Sequence, residues 1–402
     1  MDESTRNGGS AAVEQTTVVV IGAGPTGLTL ANLLQRSDIP CVLLERRSRD
    51  FVENRHRAGI VDARVRQLYE DWGLADVLGG PPDDGLLEFR VDGVAHLVDH
   101  ARLSGGRYGW LCPQQVLVRN LITTFTDGGG DLRFDVPDVA IHDLTADRAR
   151  VTCTGPAGEP TTIEARYVAG CDGARGPSRV SVPPGTMATY TFDHEVSWLT
   201  IMATTPPPPH PLLSVSDQGY AAHFYRGPQA SRYYLQCGPQ DGPPEWPAER
   251  LWPELRVRLG DAQLPDGPIT EIRRVDMRSE VCEPMSHGRM FLAGDSAHVM
   301  TPMGGKGMNL AVLEAETLAL AIRAAVRDGD EAGLRGYSTT CLERAWRYQE
   351  FSRWMLEMLH DSGDSSRVGP FRRRLARTRL AALFTDSTAA RVFGEMMAGV
   401  GN

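Results

Sequence analysis

The stretch from Val18 to Gly27, VVVIGAGPTG, joins a short apolar run to a glycine-rich turn. Residues 16–21 are rich in β-branched side chains and read as a strand, and the residues from Leu28 onward read as a helix with leucines on one face. Free N–H groups at the start of such a helix favour phosphate. Each glycine of the turn has its own use: the tight turn at Gly22, the close approach of a pyrophosphate at Gly24, and close packing of helix on strand at Gly27.

The next apolar strand supports this interpretation. It covers residues 40–44 and ends at Glu45, about 20 residues after the turn, where an acidic side chain accepts hydrogen bonds from an adenosine ribose. A glycine turn that binds no nucleotide is the alternative, but strand, turn, helix, second strand and acid all occur in order. The chain is therefore predicted to bind a dinucleotide.

The length and composition favour a two-domain protein that does not bind nucleic acid. The chain has 402 residues, so a nucleotide-binding domain with a second, substrate-binding domain is expected. The net charge is −9 and the basic residues are scattered, which leaves no electrostatic footprint for nucleic acid. The seven cysteines lack CxxC or Cys/His ligand spacing, which argues against disulfides and zinc and fits a reducing, cytoplasmic location.

The chain divides by its sequence patterns into a nucleotide-binding part, an inserted sheet part and a helical end. The first 15 residues are polar and are predicted to be a disordered leader, and no later window approaches 18 consecutive apolar residues, so no membrane partner is expected. We assign residues 16–85, 100–182 and 279–335 to the nucleotide-binding domain, 86–99 and 183–278 to the sheet domain, and 336–402 to C-terminal helices.

A basic segment follows Glu45. Five arginines occur within twelve residues, at positions 46, 47, 49, 55 and 57. Planar guanidinium groups bind phosphate well, so the segment is predicted to lie along a phosphate-rich cofactor. A solvated surface run is the alternative.

Three separated motifs then occur in one order. They are GAGPTG at 22–27, CDG at 171–173, and LAGD at 292–295, which leads into Pro302 and the turn GGKGMN. In this combination the chain resembles the FAD-dependent aromatic hydroxylases, or group A flavoprotein monooxygenases, and most closely the para-hydroxybenzoate hydroxylases. The resemblance implies an α/β fold in which a Rossmann-like FAD-binding domain carries an inserted mixed and antiparallel sheet domain and C-terminal helices.

The resemblance also assigns the FAD contacts. Asp295, at a strand end, can accept hydrogen bonds from the ribityl hydroxyls, and the helix that starts near Gly307 directs its positive end at the flavin pyrimidine ring. Besides the three glycines of the turn, the implied FAD-binding residues are Glu45, Arg46, Arg57, Ala58, Gly59, Gln114, Asp172, Asp295, Lys306, Gly307, Met308 and Asn309.

The reductant is expected to be NADPH, with NADH as the alternative. Arginine clustering favours the phosphorylated coenzyme, because a guanidinium group matches a phosphate. By resemblance, the groups that receive NADPH are Arg46, Arg55, Arg175 and Arg278.

The predicted substrate pocket keeps the means to bind a carboxylate. By resemblance, Arg226 takes the place of the arginine that binds the benzoate carboxylate, and Tyr234 that of a tyrosine that assists it. A bidentate arginine–carboxylate pair suits an aromatic acid, and a structural surface arginine is the alternative. Pro302 is expected to place its backbone carbonyl near the substrate.

The pocket departs from the family where the para oxygen is held. Phe224 replaces a carboxylate-binding serine, Ser214 and Leu383 lie near the positions of two tyrosines, and Glu88 aligns with the histidine that ends a proton relay. Because this phenol-deprotonating relay is missing in its usual form, the expected substrate is a benzoate that an amino group activates, alone or with a hydroxyl group.

These features predict a flavin-dependent monooxygenase. By resemblance, NAD(P)H reduces FAD, and one oxygen atom of O₂ passes to an electron-rich ring. The alternatives are a 4-hydroxybenzoate 3-monooxygenase, a flavin-dependent halogenase or reductase, and a flavin-binding sensor without turnover; only Trp198 stands where a halogenase would be rich in tryptophan. No metal is expected, His298 is predicted to be a packed structural residue, and a homodimer is an open expectation.

Overall fold

A computed structural model of the chain describes residues 13–55, 59–155, 158–238, 241–360 and 369–399. Arg57 and Ala58, two of the predicted FAD contacts, lie outside the described residues. The described strands are β1 (Val13–Ile21), β2 (Cys41–Leu44), β3 (Ile60–Val61), β4 (Leu86–Val91), β5 (Val94–Asp99), β6 (Trp110–Leu111), β7 (Asp131–Arg133), β8 (Ala140–His142), β9 (Ala149–Thr154), β10 (Pro160–Gly170), β11 (Ala188–Ala203), β12 (Leu212–Ser216), β13 (Gly219–Gly227), β14 (Ala230–Cys237), β15 (Ile269–Glu283), β16 (Ser286–His287), β17 (Met290–Leu292) and β18 (His298–Val299). The described α-helices are α1 (Pro25–Gln35), α2 (Arg49–Asn54), α3 (Ala63–Asp71), α4 (His100–Leu103), α5 (Gln114–Asp127), α6 (Pro177–Val180), α7 (Ala248–Leu259), α8 (Lys306–Arg327), α9 (Ala332–Leu359), α10 (Gly369–Thr385) and α11 (Ser387–Met397).

The first large sheet is mostly parallel. Its order is β16-β17-β10-β1-β2-β7, with β9 beside β10 and β8 beside β9. β1 lies between β10 and β2, and its residues 18–20 are fully buried, as expected for a strand of a parallel sheet that is covered on both faces. The carboxyl ends of the parallel strands β1, β2, β10 and β17 meet at one edge of the sheet. The glycine turn, Glu45, Asp172 and Asp295 come shortly after these four strand ends, so they gather at that edge.

The second large sheet has the order β18-β15-β11-β14-β13-β12-β4-β5, and only its β12–β4 pair is parallel. Side chains alternate between its faces. Tyr233 and Leu235 belong to a core shared with α7, while Tyr220 and Tyr234 belong to the core on the opposite face. The two sheets confirm the predicted fold class. β15 runs across residue 278, where the sequence division places a boundary.

The long helices connect the two cores. α9 packs on α8 and contributes Tyr337 and Cys341 to the core of the first sheet. Further along, the same helix contributes Phe351 and Met355 to the core of the second sheet, where Phe393 of α11 also lies. No helix within the described ranges is long and apolar enough to cross a membrane.

The first strand begins earlier than the sequence indicates. Val13, Glu14 and Gln15 pair with residues 162–164 of β10. These three residues of the predicted leader therefore belong to the sheet instead. The sequence signal is weak there because the residues are polar or exposed, and their pairing with β10 and the contacts of Glu14 with Arg133 are long-range.

Alanine at Gly27 and at Gly336 is expected to change stability in opposite directions. Both glycines lie in helices, but a Cβ at Gly27 would clash with the carbonyl oxygen of Gly22, whereas a Cβ at Gly336 meets no atom within 4 Å. We expect Gly27→Ala to lower the free energy of unfolding by about 1–3 kcal/mol and Gly336→Ala to raise it by about 0.5–1 kcal/mol. Chemical denaturation of the FAD-free protein, followed by circular dichroism, measures both changes. A destabilised Gly336→Ala variant would contradict the open space that surrounds Gly336 in the structure.

Candidate active site

The glycine turn leaves one face open. Gly22 has a φ of 104°, and a Cβ there would clash with the carbonyl oxygen of Cys171. At Gly24, in contrast, a Cβ would meet no protein atom within 4 Å. The fold itself therefore requires Gly22, as it requires Gly27, whereas the space beside Gly24 is free for the pyrophosphate of a ligand.

The Glu45 carboxylate is fixed at the same turn. One oxygen, Oε2, accepts a hydrogen bond from the N–H of Ala23 at 2.8 Å, and the other, Oε1, accepts one from the N–H of Arg47 at 2.8 Å. The residue is buried at the strand end. Two backbone donors thus hold the carboxylate where the adenosine ribose of a dinucleotide lies in such folds.

Asp172 has an oxygen without a partner. Its Oδ2 accepts a hydrogen bond from the N–H of Ser178 at 2.8 Å, and its buried Oδ1 has no partner within the described ranges. Burial raises the pKa of this carboxyl group, and the bonds from Ser178 partly oppose the rise. Because an unpartnered buried acceptor costs free energy, a hydroxyl group of a bound cofactor is the kind of donor that this site lacks.

Asp295 is exposed on the turn that follows β17, and this turn is firmly anchored. The N–H of Gly294 donates to Oε2 of Glu314 at 2.8 Å, and Nε2 of His298 lies 2.7 Å from Oε1 of the same carboxylate. Burial lowers the pKa of His298, but Glu314 outweighs this effect and raises it above its ordinary value. The contacts of His298 are those of a packed structural residue.

The amino terminus of α8 faces a cavity. Gly304 and Gly305, with φ of 72° and 65°, turn the chain into this helix, and both line the cavity with Asn309. The first N–H groups of a helix lack partners within it, and their dipoles favour negative charge. The terminus therefore fits the pyrimidine end of a reduced flavin.

Lys306 is buried at this terminus. It is 1% exposed, and its Nζ donates to Oδ2 of Asp62 at 3.1 Å and to the carbonyl oxygen of Met397 at 2.8 Å. Burial lowers the pKa of the ammonium group, and Asp62 opposes that effect. Lys306 is thus a charged part of the cavity wall that already has protein partners.

The other predicted FAD contacts lie near these elements. A Cβ at Gly59 would clash with Pro113, and Gln114 begins α5 directly after that proline, so the two predicted residues are brought together. Gly307 and Met308 are the second and third residues of α8. Arg46 is exposed next to Glu45.

The cavity lies between the second sheet, the start of α8 and the helices α4 and α11. Aromatic and aliphatic side chains form most of its surface, with a few polar groups at separate places. The lining residues include Asp83, His100, Trp198, Leu213, Tyr220, Phe224, Arg226, Tyr234, Pro302 and Met397.

Arg226 reaches this cavity without an acidic partner. Its Nη1 donates to the carbonyl oxygen of Tyr225 at 2.7 Å, its buried Nε has no partner, and no carboxylate of the described residues pairs with it. Burial lowers the pKa of the guanidinium group, and Tyr234 opposes the change. Tyr234 lies beside it, edge-on to Phe224 with ring centroids 5.5 Å apart. The structure therefore brings Arg226, Tyr234 and Phe224 together.

Two predicted substrate positions do not line the cavity. The Ser214 hydroxyl donates to the carbonyl oxygen of Arg258, away from the cavity, and Leu213 lines the cavity instead. Leu383 is packed in the core of the second sheet, whereas Met397 lines the cavity. Glu88 does not line it either, and its carboxylate pairs with Arg90. The cavity thus presents apolar side chains where the family resemblance implies groups that hold the para oxygen.

Several functional candidates are not predicted from the sequence. Trp198 donates from Nε1 to Nε2 of His360 at 2.6 Å, and Tyr220 lies against both rings. Burial lowers the pKa of His360 to about 3, so this imidazole is neutral and acts as an acceptor. The others are Arg232, which is buried and whose Nε has no partner among the described residues, and the pair Asp83 and His100. A single histidine or arginine in a strand pattern gives no signal of these contacts.

The predicted NADPH residues lie on the protein surface. Arg46, Arg55 and Arg175 are exposed, and the Arg55 guanidinium lies 5.9 Å from the ring centroid of Phe51. Arg278 pairs with Glu280 at 3.1 Å. Within the described residues, no group of three or more His, Cys, Asp or Glu side chains is arranged to hold a metal ion.

Gly24→Val is expected to remove FAD without unfolding the protein. The side chain would occupy the open space beside the turn, where the pyrophosphate binds, and would meet no protein atom at its Cβ. We expect the purified variant to be colourless, with the unfolding transition of the FAD-free wild type. A yellow variant with full FAD content would contradict this placement of the pyrophosphate.

Comparisons with known proteins show the family to which the chain belongs. A family model described as FAD binding domain matches residues 15–352. The p-hydroxybenzoate hydroxylase of Acinetobacter baylyi is 36% identical over 352 residues, which are 86% of each chain. A 3-(3-hydroxy-phenyl)propionate/3-hydroxycinnamic acid hydroxylase of Mycobacterium sp. (strain KMS) is 29% identical over 90% of this chain and 62% of its own. The solved p-nitrophenol 4-monooxygenase of Pseudomonas putida DLL-E4 has the same fold, with a TM-score of 0.79 at 22% identity over 96% of this chain and 99% of its own. The chain belongs to the FAD-dependent aromatic hydroxylases, which are monooxygenases.

Proposed function

We propose that the protein hydroxylates the ring of a benzoate that carries an amino group, alone or together with a hydroxyl group, with NADPH as the reductant. The observation that carries this proposal is the guanidinium group of Arg226, which lies in an aromatic cavity beside the start of α8 and lacks an acidic partner among the described residues. A desolvated cation without a partner is costly, and a carboxylate of the ligand would supply the partner.

The remainder of the cavity orients the ring. Tyr234 and Phe224 flank the carboxylate end, and Pro302 lies at the helix end of the cavity, where its backbone carbonyl can accept a hydrogen bond from an amino or hydroxyl group. Leu213 and Met397 are apolar, so they cannot relay a proton from a phenol. An amino substituent activates the ring without losing a proton, so it suits this apolar part of the cavity, whereas a ring hydroxyl needs a proton acceptor elsewhere in the lining.

FAD, once reduced, supplies the oxygen-transfer chemistry, and the protein supplies position, a dry site and electrostatics. The start of α8 and Lys306 provide positive potential beside the ring, and the aromatic wall excludes water. We infer that Glu45, Asp172 and Asp295 hold the cofactor along the carboxyl edge of the first sheet.

A 4-hydroxybenzoate 3-monooxygenase is the second candidate. The 36% identity to a p-hydroxybenzoate hydroxylase favours it, and Arg226 would bind that carboxylate equally well. The two candidates differ in the ring donor that the cavity accepts.

Turnover with a panel of aromatic acids separates the candidates. FAD-loaded protein is incubated with amino-, hydroxy- and aminohydroxybenzoates, and NADPH consumption is compared with the formation of a product that has gained one oxygen atom. Coupled turnover of amino-substituted acids supports the proposal. Well-coupled hydroxylation of 4-hydroxybenzoate, with no response to amino-substituted acids, selects the second candidate.

Arg226→Ala is expected to weaken substrate binding by about 1.5–3 kcal/mol, because a charge-assisted hydrogen bond is lost. The matched probe is the carboxamide of the same substrate, which wild type should bind more weakly than the acid and Arg226→Ala should bind equally well. Arg226→Lys should recover part of the preference for the acid. An unchanged preference in Arg226→Ala would place the carboxylate elsewhere.

Arg46→Ala is expected to raise the KM for NADPH more than the KM for NADH. The exposed guanidinium next to Glu45 would face the extra phosphate of NADPH. Arg391→Ala in α11, where the arginine pairs with Glu395 on the surface, is the control. An equal effect on both coenzymes would mean that Arg46 belongs to a solvated face.

A further inference from the structure

Asp83 and His100 form a buried polar pair in the wall of the cavity. They are 8% and 6% exposed, and Oδ2 of Asp83 lies 3.7 Å from Nε2 of His100. The other ring nitrogen, Nδ1, is buried and has no hydrogen-bond partner within the described residues. Aliphatic side chains surround the pair on the cavity wall, including Leu86 and Leu87. Burying a titratable pair in such surroundings costs free energy unless hydrogen bonds, from the protein or from a ligand, satisfy it.

Gly85 brings the two residues together. Its N–H donates to Oδ1 of Asp83 at 3.1 Å, and its carbonyl oxygen accepts the N–H of His100 at 2.9 Å. The φ of Gly85 is 74°, and a Cβ there would clash with Ala101. The approach of α4 to residues 83–85 is therefore built into the backbone, and Asp99 caps α4 by accepting the N–H of Arg102 at 2.8 Å.

We propose that His100 is a catalytic residue and that Asp83 is its positioning residue. His100 accepts a hydrogen bond from the activating group of the substrate, and where that group is a ring hydroxyl, His100 also accepts its proton. This inference rests on the proposed function, because it needs a hydroxylated or aminated benzoate in the cavity. Leu213 and Met397 cannot accept a proton. We therefore assign that role to Asp83 and His100, which line the same cavity.

The proposed step is a proton transfer without any redox change. The O–H bond of the ring hydroxyl breaks, its electron pair stays on the oxygen as a phenolate, and the proton bonds to an imidazole nitrogen of His100. The imidazolium is balanced by the Asp83 carboxylate, and the phenolate is stabilised by the positive end of α8, whose first residues line the same cavity. With an amino group alone, the pair accepts only a hydrogen bond.

The charges around His100 set the direction of its titration. Burial lowers the pKa of His100, Asp83 opposes this, Lys306 lowers it further, and Asp99 and Asp84 raise it. Burial raises the pKa of the Asp83 carboxyl group, which His100 opposes. Removing the Asp83 charge should therefore make His100 a weaker acceptor, so that a bound phenol ionises only at higher pH.

The test follows the ionisation of a bound phenol. FAD-loaded protein is titrated with 4-hydroxybenzoate and with 3-amino-4-hydroxybenzoate at a series of pH values, and phenolate absorbance is recorded. Free phenols of this kind ionise at about pH 10, and we expect wild type to form bound phenolate at lower pH. In His100→Gln we expect ionisation only at higher pH and a kcat lowered about 100-fold, with Kd changed less than about threefold. Asp83→Asn should shift the ionisation upward by a smaller amount.

A second His–Asp pair provides the matched control. Nδ1 of His210 lies 2.8 Å from Oδ2 of Asp84, the neighbour of Asp83, but this pair lies on the surface and not on the cavity wall. His210→Asn should leave bound phenolate and kcat unchanged, whereas Asp84→Asn, which removes a weaker charge that also raises the pKa of His100, should shift the ionisation less than Asp83→Asn. Equal shifts in Asp84→Asn and Asp83→Asn would overturn the proposal.

The outcomes separate this inference from the proposed function. If wild type hydroxylates no benzoate, the proposed function fails. If wild type hydroxylates a benzoate but forms no bound phenolate below the pH at which the free phenol ionises, the role of His100 is overturned, and this result needs no variant to fold. If phenolate forms equally in wild type, His100→Gln and Asp83→Asn, another group is the acceptor.

Discussion

Asn309 ties together segments that are far apart in the sequence, and the shape of the cavity depends on it. Its amide nitrogen donates to the carbonyl oxygen of Ile60 at 3.1 Å, and its amide oxygen accepts the N–H of Asp62 at 3.0 Å. Lys306 extends this network to Asp62 and, 91 residues further along the chain, to Met397. Because these groups are buried, each broken bond leaves an unsatisfied partner at a cost of about 1–3 kcal/mol. The start of α8, the segment before α3 and the end of α11 are therefore held as one unit, and that unit forms one side of the cavity.

Two cations that line the cavity, the buried Lys306 and the half-buried Arg226, differ in their protein partners. Lys306 is paired with Asp62, so its charge is balanced before any ligand arrives. Arg226 has no such carboxylate within the described ranges, and nearby Arg232 lowers its pKa further because like charges repel. A protein that folds with a desolvated, unpaired guanidinium carries an electrostatic cost that an anionic ligand removes on binding. Because of this difference, we assign the carboxylate of the proposed substrate to Arg226 and not to Lys306.

The parts that the sequence predicts well are those in which neighbours along the chain act together. The glycine turn, Glu45 at the end of β2 and the long helices after Gly305 follow from local patterns, and the structure has them in place. The cavity is less predictable because strand registers and long-range packing decide it. A shift of one residue moves a side chain to the opposite face of a strand, and for that reason Leu213 rather than Ser214 lines the cavity. The choice of Met397 over Leu383 depends on how α10 and α11 fold back on the sheet, and no local pattern contains that information.

The Asp83–His100 pair could not be predicted from the sequence either. Neither residue stands in a motif, and 17 positions separate them, so the sequence gives no reason to couple their pKa values. The two residues meet because Gly85 donates its N–H to the Asp83 carboxylate, accepts the N–H of His100 and allows α4 to approach the start of β4. The Asp83–His100 pair and the Arg226 guanidinium line the same cavity, and aromatic and aliphatic side chains form most of its surface. An aromatic acid with a donor on its ring would bring a carboxylate for the guanidinium and a donor for the pair, joined by an apolar ring that suits the remaining surface.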